Sequence, residues 1–142
     1  MLCTVSSAWA QCKVASDGVD EFTGKRTVIL KGGYVGAVLQ MLVKSDSSYF
    51  LYLSTAQDVG CARTGESKVL MKLDDGSVID LVHVGKLNCK GTFTIKVDDY
   101  MEELTSHNVT TIRLIGTRSQ HTEELKKGQD TFSKGLTCLT SL

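Results

Sequence analysis

Lys68-Val69-Leu70-Met71-Lys72-Leu73-Asp74-Asp75-Gly76-Ser77-Val78-Ile79-Asp80-Leu81-Val82 reads as two short strands folded about a turn. Lys68 to Leu73 and Ser77 to Val82 carry the period of two that half-buried strands show. Asp-Gly is a strong hairpin signal, because both central residues of a tight turn can take φ > 0. The stretch predicts a β-hairpin.

The same pattern extends outward in both directions. Upstream, Arg26 to Leu30 is a first strand that Gly32-Gly33 breaks, and Val38 to Lys44 pairs with Tyr49 to Ser54 across the polar turn Ser45-Asp46-Ser47-Ser48. Downstream, Thr92 to Val97 puts Phe93, Ile95 and Val97 on a core face, and Val109 to Gly116 returns to strand. Between them the period changes. Asp98 stands where a cap would open a short helix through about Thr105, with Tyr100, Met101 and Leu104 at helical spacing. After the charged stretch Glu123 to Lys127, a closing helix over Gln129 to Leu139, capped at Asp130, would bury Phe132, Leu136 and Leu139. The expected fold is mainly β (α+β): an antiparallel β-sandwich or curved sheet with a short helix and a C-terminal helix packed at one end.

Composition narrows the functional classes. The 142 residues are 42% apolar and 23% charged, which suits one domain with one core. Sixteen basic and sixteen acidic residues cancel, leaving no global field to draw nucleic acid or an anionic membrane. No apolar run approaches the ~20 residues of a membrane span. With thirteen glycines and no proline, the turns fall to Gly, Asn, Asp and Ser.

Ala8-Trp9-Ala10, followed by Gln11, has the small-x-small pattern that a signal peptidase cuts after. It predicts residues 1–10 as an export-signal remnant and residues 11–142 as one disulfide-linked β-rich domain, secreted or periplasmic. A basic head is missing from this stretch, so the competing reading of Met1 to Ala10 is a frayed first strand.

Loss of Cys3 with that remnant leaves Cys12, Cys61, Cys89 and Cys138. Four cysteines allow three pairings. Cys61 and Cys89 flank the Lys68–Val82 hairpin, so the nested arrangement, Cys61 with Cys89 and Cys12 with Cys138, clamps the hairpin and ties the termini. Closing such loops stabilises by about 3–5 kcal/mol in the chain-entropy model. No Cys-x-x-Cys spacing points to zinc, a redox pair or haem.

Other motifs fail on chemistry. Gly60 to Ser67 has the glycine spacing of a phosphate-binding loop, but Glu66 stands where a lysine must meet phosphate, so it reads as a flexible loop. Asp74-Asp75-Gly76 lacks the rest of a calcium ladder and reads as a turn. Asp17, Asp20 and Glu21 could loosely hold a cation, but read better as a solvated connecting loop. Asn108-Val109-Thr110 fits a glycosylation triplet. His83, His107 and His121 are isolated from one another, and His83, inside Val82-His83-Val84, is the one that merits measurement. No catalytic residue, cofactor or metal ligand is assigned.

Cys12, the run Asp20-Glu21-Phe22-Thr23-Gly24-Lys25, the hairpin at Val69 to Gly76 and a cysteine near the end of a terminal helix resemble the layout of small secreted bacterial β-rich proteins of unknown function. That resemblance implies export and a compact β-rich fold; it carries no activity. Phe22 itself reads as a core anchor, and Thr23-Gly24 as the turn into the first strand. The expected function is an exported, periplasmic or extracellular, non-enzymatic binding module for a protein partner. The alternative is a self-assembling structural subunit, pairing through the strand before Gly32-Gly33 or through the N-terminal segment.

Overall fold

The computed structural model describes residues 12–142; the expected export remnant, residues 1–10, lies outside them, as does Gln11. The strands are β1 (Val14–Val19), β2 (Arg26–Leu30), β3 (Gly33–Val35), β4 (Val38–Ser45), β5 (Ser48–Thr55), β6 (Lys68–Leu73), β7 (Val78–Val82), β8 (Thr92–Lys96), β9 (Val109–Ile115) and β10 (Gln120–Glu124). A 3-10 turn (Asp98–Tyr100) leads into helix α1 (Met101–Ser106), and helix α2 (Thr131–Thr140) closes the described chain. One antiparallel sheet runs β1-β2-β4-β5-β8, with β3 also paired to β4; a second runs β10-β9-β6-β7. The fold is mainly β, with two short α-helices.

The alternation that predicts the strands also builds the core. Val69, Met71 and Leu73 of β6, Ile79 and Leu81 of β7, and Ile112 and Leu114 of β9 are buried, as are Leu51, Leu53, Phe93 and Ile95 of the other sheet. All belong to one apolar cluster, which α1 and α2 complete through Leu104, Phe132, Leu136 and Leu139. Burying side chains of this size contributes about 1.5–3 kcal/mol each.

The hairpin turn differs from the tight form that its Asp-Gly implies. Only Gly76 takes a positive φ, +88°, and the Gly76 N–H donates to Leu73 O at 3.0 Å. Leu73 N–H in turn donates to Ser77 O at 2.9 Å, so the loop is the three-residue form that ends in a glycine bulge.

Several expectations are corrected. Phe22 is 90% exposed and anchors no core, because the Asp20 carboxylate accepts the N–H groups of Phe22 and Thr23 and folds them into the solvent-facing β1–β2 turn. Asp17 lies on a strand, with its carboxylate 2.7 Å from the Arg26 guanidinium, and does not join Asp20 and Glu21 in a loop. Asp98 caps no helix; its carboxylate accepts the Tyr49 N–H at 2.6 Å and so secures the start of β5. Asp130 makes no side-chain cap either, being drawn to Lys134 at 2.7 Å, and helix α2 starts two residues later than expected because Gln129 O accepts the Val109 N–H. Arg26–Leu30 offers no free edge, since β1 and β4 flank it.

Candidate functional site

A groove of about 1030 Å³ runs beside α2. Residues leading into β1 (Cys12, Lys13) and the end of β2 with the link to β3 (Leu30, Lys31, Gly32) form one wall, and α2 with the following Ser141 forms the other. Gln40 and Leu42 of β4 lie between them. Helix α2 seats against the sheet at Gly135, where an added Cβ would run into Leu42. Gly32 packs as closely on the other wall: a Cβ there would stand 2.6 Å from the Gln40 carbonyl oxygen, which explains a glycine at this point.

Two disulfides brace this arrangement. Cys12–Cys138 joins the two walls of the groove across 126 residues of sequence, and Cys61–Cys89 closes the loops at the far side of the β6–β7 hairpin. Bonds of this kind persist in oxidising compartments. No helix among the described residues is long and apolar enough to cross a membrane.

Gln40 is the unusual residue in the groove. It occupies an inward-facing position between Val38 and Leu42, is 6% exposed, and its Oε1 atom is buried without a hydrogen-bond partner among the described residues. Leaving a buried acceptor unpaired costs about 1–3 kcal/mol. The rim around it is cationic: Lys13, Lys31 and Lys134 line the groove, and among the described residues no Asp or Glu does. Lys134 pairs with Asp130, whose carboxyl is held below its ordinary range chiefly by the Lys134 hydrogen bond. Lys13 and Lys31 make no ion pair among the described residues.

The remaining polar clusters serve the fold. His83 is 1% exposed; its Nδ1 accepts the Thr94 N–H at 3.0 Å, so Nε2 carries the proton and donates to Lys86 O at 2.9 Å. Both ring nitrogens are committed to backbone groups that join β8 to the strand-end Val82–Val84. At the hairpin tip, His107 Nδ1 lies 2.8 Å from Asp74 and Nε2 3.7 Å from Asp75. Asp74 also accepts the Asn108 N–H, its largest acidifying contact, and Asp75 accepts the N–H and hydroxyl of Ser77. These three side chains could approach one cation, but their observed bonds clamp the hairpin tip to the exit of α1. The loop at Gly60 to Ser67, expected to be flexible, is pinned instead: Ala62 is fully buried and exchanges two backbone hydrogen bonds with Asn88.

Gln40 and the lysines were not singled out in the sequence. The available signal was a glutamine at the inward position of the apolar alternation Val38, Gln40, Leu42. Comparison with protein-family models, curated proteins and solved structures finds no match for this chain.

Proposed function

We propose that the chain is an exported, non-enzymatic binding module whose ligand lies in the groove between α2 and β2–β4. The unpaired Gln40 Oε1, buried in the wall of a groove that three lysines line, is the observation that carries this reading. A buried acceptor is normally paired, and a ligand donor would supply the missing bond. The two disulfides, the cut-site pattern before Gln11 and the resemblance of the Cys12 to Lys25 opening to small secreted proteins all support export.

Binding of anilinonaphthalene sulfonate, which carries an apolar body and an anionic group, tests the site. A saturable one-to-one fluorescence rise with the native chain, together with amide shifts at Gly32 and Gly135, is expected. A native chain that gives neither contradicts the reading.

Assembly with copies of itself is the second reading, favoured by one feature. All six residues of β1 are exposed, it ends its sheet among the described residues, and Phe22 stands 90% exposed beside it. An open strand edge with an exposed aromatic group is a template for pairing.

A further inference from the structure

The two sheets present opposite kinds of outer face. Alternate residues of a strand share a face, so the buried side chains mark the inner face of each sheet and their chain neighbours the outer one. On the smaller sheet the outer face is built for water: Lys68 and Lys72 of β6, Asp80 of β7, Arg113 of β9 and Glu124 of β10 stand on it. On the larger sheet the same positions hold the cross-strand rows Ile29–Val43–Phe50 and Met41–Tyr52, with Tyr34 and Leu39 paired in the next row. Hydroxyl pairs close the two ends of this belt, Thr27 with Ser45 and Ser54 with Thr92. Among the described strand residues Lys96, at the margin, is the one charged side chain on this face, and it lies 3.6 Å from Asp98.

The belt is separate from the core. Val43 is 5% exposed, yet it stands outside the cluster that joins the other buried apolar side chains, and Ile29, Met41, Phe50 and Tyr52 are part-buried without packing on that cluster. Leu39 is 40% and Tyr34 74% exposed, so this second apolar layer opens to solvent. A contiguous apolar face of this kind marks an interaction site.

We infer that a second copy of the chain covers this face, sheet against sheet, in a two-fold symmetric dimer. A charged partner would meet no counter-charge there. A glycan is read by carboxylate, amide or guanidinium side chains beside an aromatic ring, and none of these stands on the described strand positions of the face. A hydroxyl both donates and accepts, so a face made of apolar and hydroxyl groups is complementary to itself, as an isologous contact requires. The sixteen basic and sixteen acidic residues cancel, which removes long-range repulsion between copies.

The size of the face agrees. Five strands about 4.8 Å apart and the eight residues of β4 and of β5 outline roughly 24 by 27 Å, close to the ~600 Å² per partner at which specific interfaces begin. Two flat sheets pack in this way about 10 Å apart. Gln40 and Leu42 line the groove from the inner side of β4, so pairing through the outer side leaves the groove of each copy open.

The test is sedimentation equilibrium of the full-length chain across the micromolar range, together with amide NMR shifts over the same concentrations. A species of twice the chain mass that grows no further is expected, because an isologous contact closes on itself. Shifts with concentration are expected at Met41, Tyr52 and Thr94 and not at Lys72 or Asp80. Tyr34→Glu and, separately, Leu39→Glu are each expected to weaken association about tenfold or more, since each brings two unpaired carboxylates into an uncharged interface. Val78→Glu, at a position 58% exposed on the outer face of the smaller sheet, should leave association unchanged. A native amide spectrum at low concentration establishes that each variant is folded.

A chain that stays monomeric throughout overturns the inference, and so does a dimer that neither Tyr34→Glu nor Leu39→Glu weakens. Association that Phe22→Ser abolishes, or that grows past two copies, belongs to the β1 edge and also contradicts it. A monomer whose Tyr34 and Tyr52 signals move on addition of a soluble glucan hexasaccharide assigns the face to a glycan in place of a second copy.

Discussion

Cys12 and Cys138 are covalently joined, and the bond ties the strand entry on one side of the groove to helix α2 on the other. The helix also holds the sheet through Phe132, Leu136 and Leu139, all fully buried. The bridge therefore limits how far the groove walls can part, and it does so through a loop far longer than that of Cys61–Cys89.

The two bridges are expected to differ in their contribution. Loops with sequence separations of 126 and 28 residues correspond to about 5 and about 3.5 kcal/mol in the chain-entropy model, with measured values tending lower. Thermal unfolding of Cys12→Ser/Cys138→Ser and of Cys61→Ser/Cys89→Ser should show the larger loss for the first pair. Limited proteolysis of the first should cut near α2.

His83 is expected to matter to stability and not to binding. His83→Leu leaves the Thr94 N–H without its partner and removes one of the two donors to the Lys86 carbonyl, a loss of about 1–3 kcal/mol. Denaturant unfolding measures that loss. Probe affinity of the folded fraction should stay at the wild-type value.

Acid should weaken the fold through its carboxylates. Asp17 is held below its ordinary range chiefly by the Arg26 hydrogen bond, Asp74 by the Asn108 N–H, and Asp75 by the Ser77 hydroxyl. A carboxyl lowered on folding contributes stability above its unfolded value, near 3.9, and loses it as pH falls through the lower folded value. Stability should thus be level from neutral pH to about 5 and decline below about 4. Asp74→Asn should flatten that decline in pH-dependent denaturant midpoints. These groups are exposed, so each contribution is small and should shrink with salt.

Phe22→Ser should leave stability within about 0.5 kcal/mol of wild type, because Phe22 is almost wholly exposed. Light scattering across concentration separates the two functional readings. A wild-type chain that associates and a Phe22→Ser chain that does not would favour assembly through the β1 edge.

What the sequence disclosed depended on where each residue type could be buried. The β6–β7 hairpin and the helix edge Phe132, Leu136, Leu139 were legible because one apolar face meets the core at a regular period. β1, Val-Ala-Ser-Asp-Gly-Val, and β10, Gln-His-Thr-Glu-Glu, were not, because each is an edge strand held by backbone pairing with no apolar face to reveal it. Phe22 misled because an aromatic residue beside a strand usually packs inward, whereas the Asp20 turn points this one away. The groove was invisible for a different reason. Its parts come from both ends of the described chain and meet only once Cys12 reaches Cys138 and Gly135 seats on Leu42. Gln40 alone left a trace, as a polar residue inside an apolar alternation.

The unpaired acceptor of Gln40 is the most direct point of attack. The measurement is the side-chain amide resonance pair of Gln40 in the native chain, followed during addition of anilinonaphthalene sulfonate and absent by assignment from Gln40→Leu. Saturable movement of that pair, at the same concentration that shifts Gly32 and Gly135, is the result expected of a groove that binds. A Gln40 pair that stays fixed as the sulfonate dye is added would contradict the account.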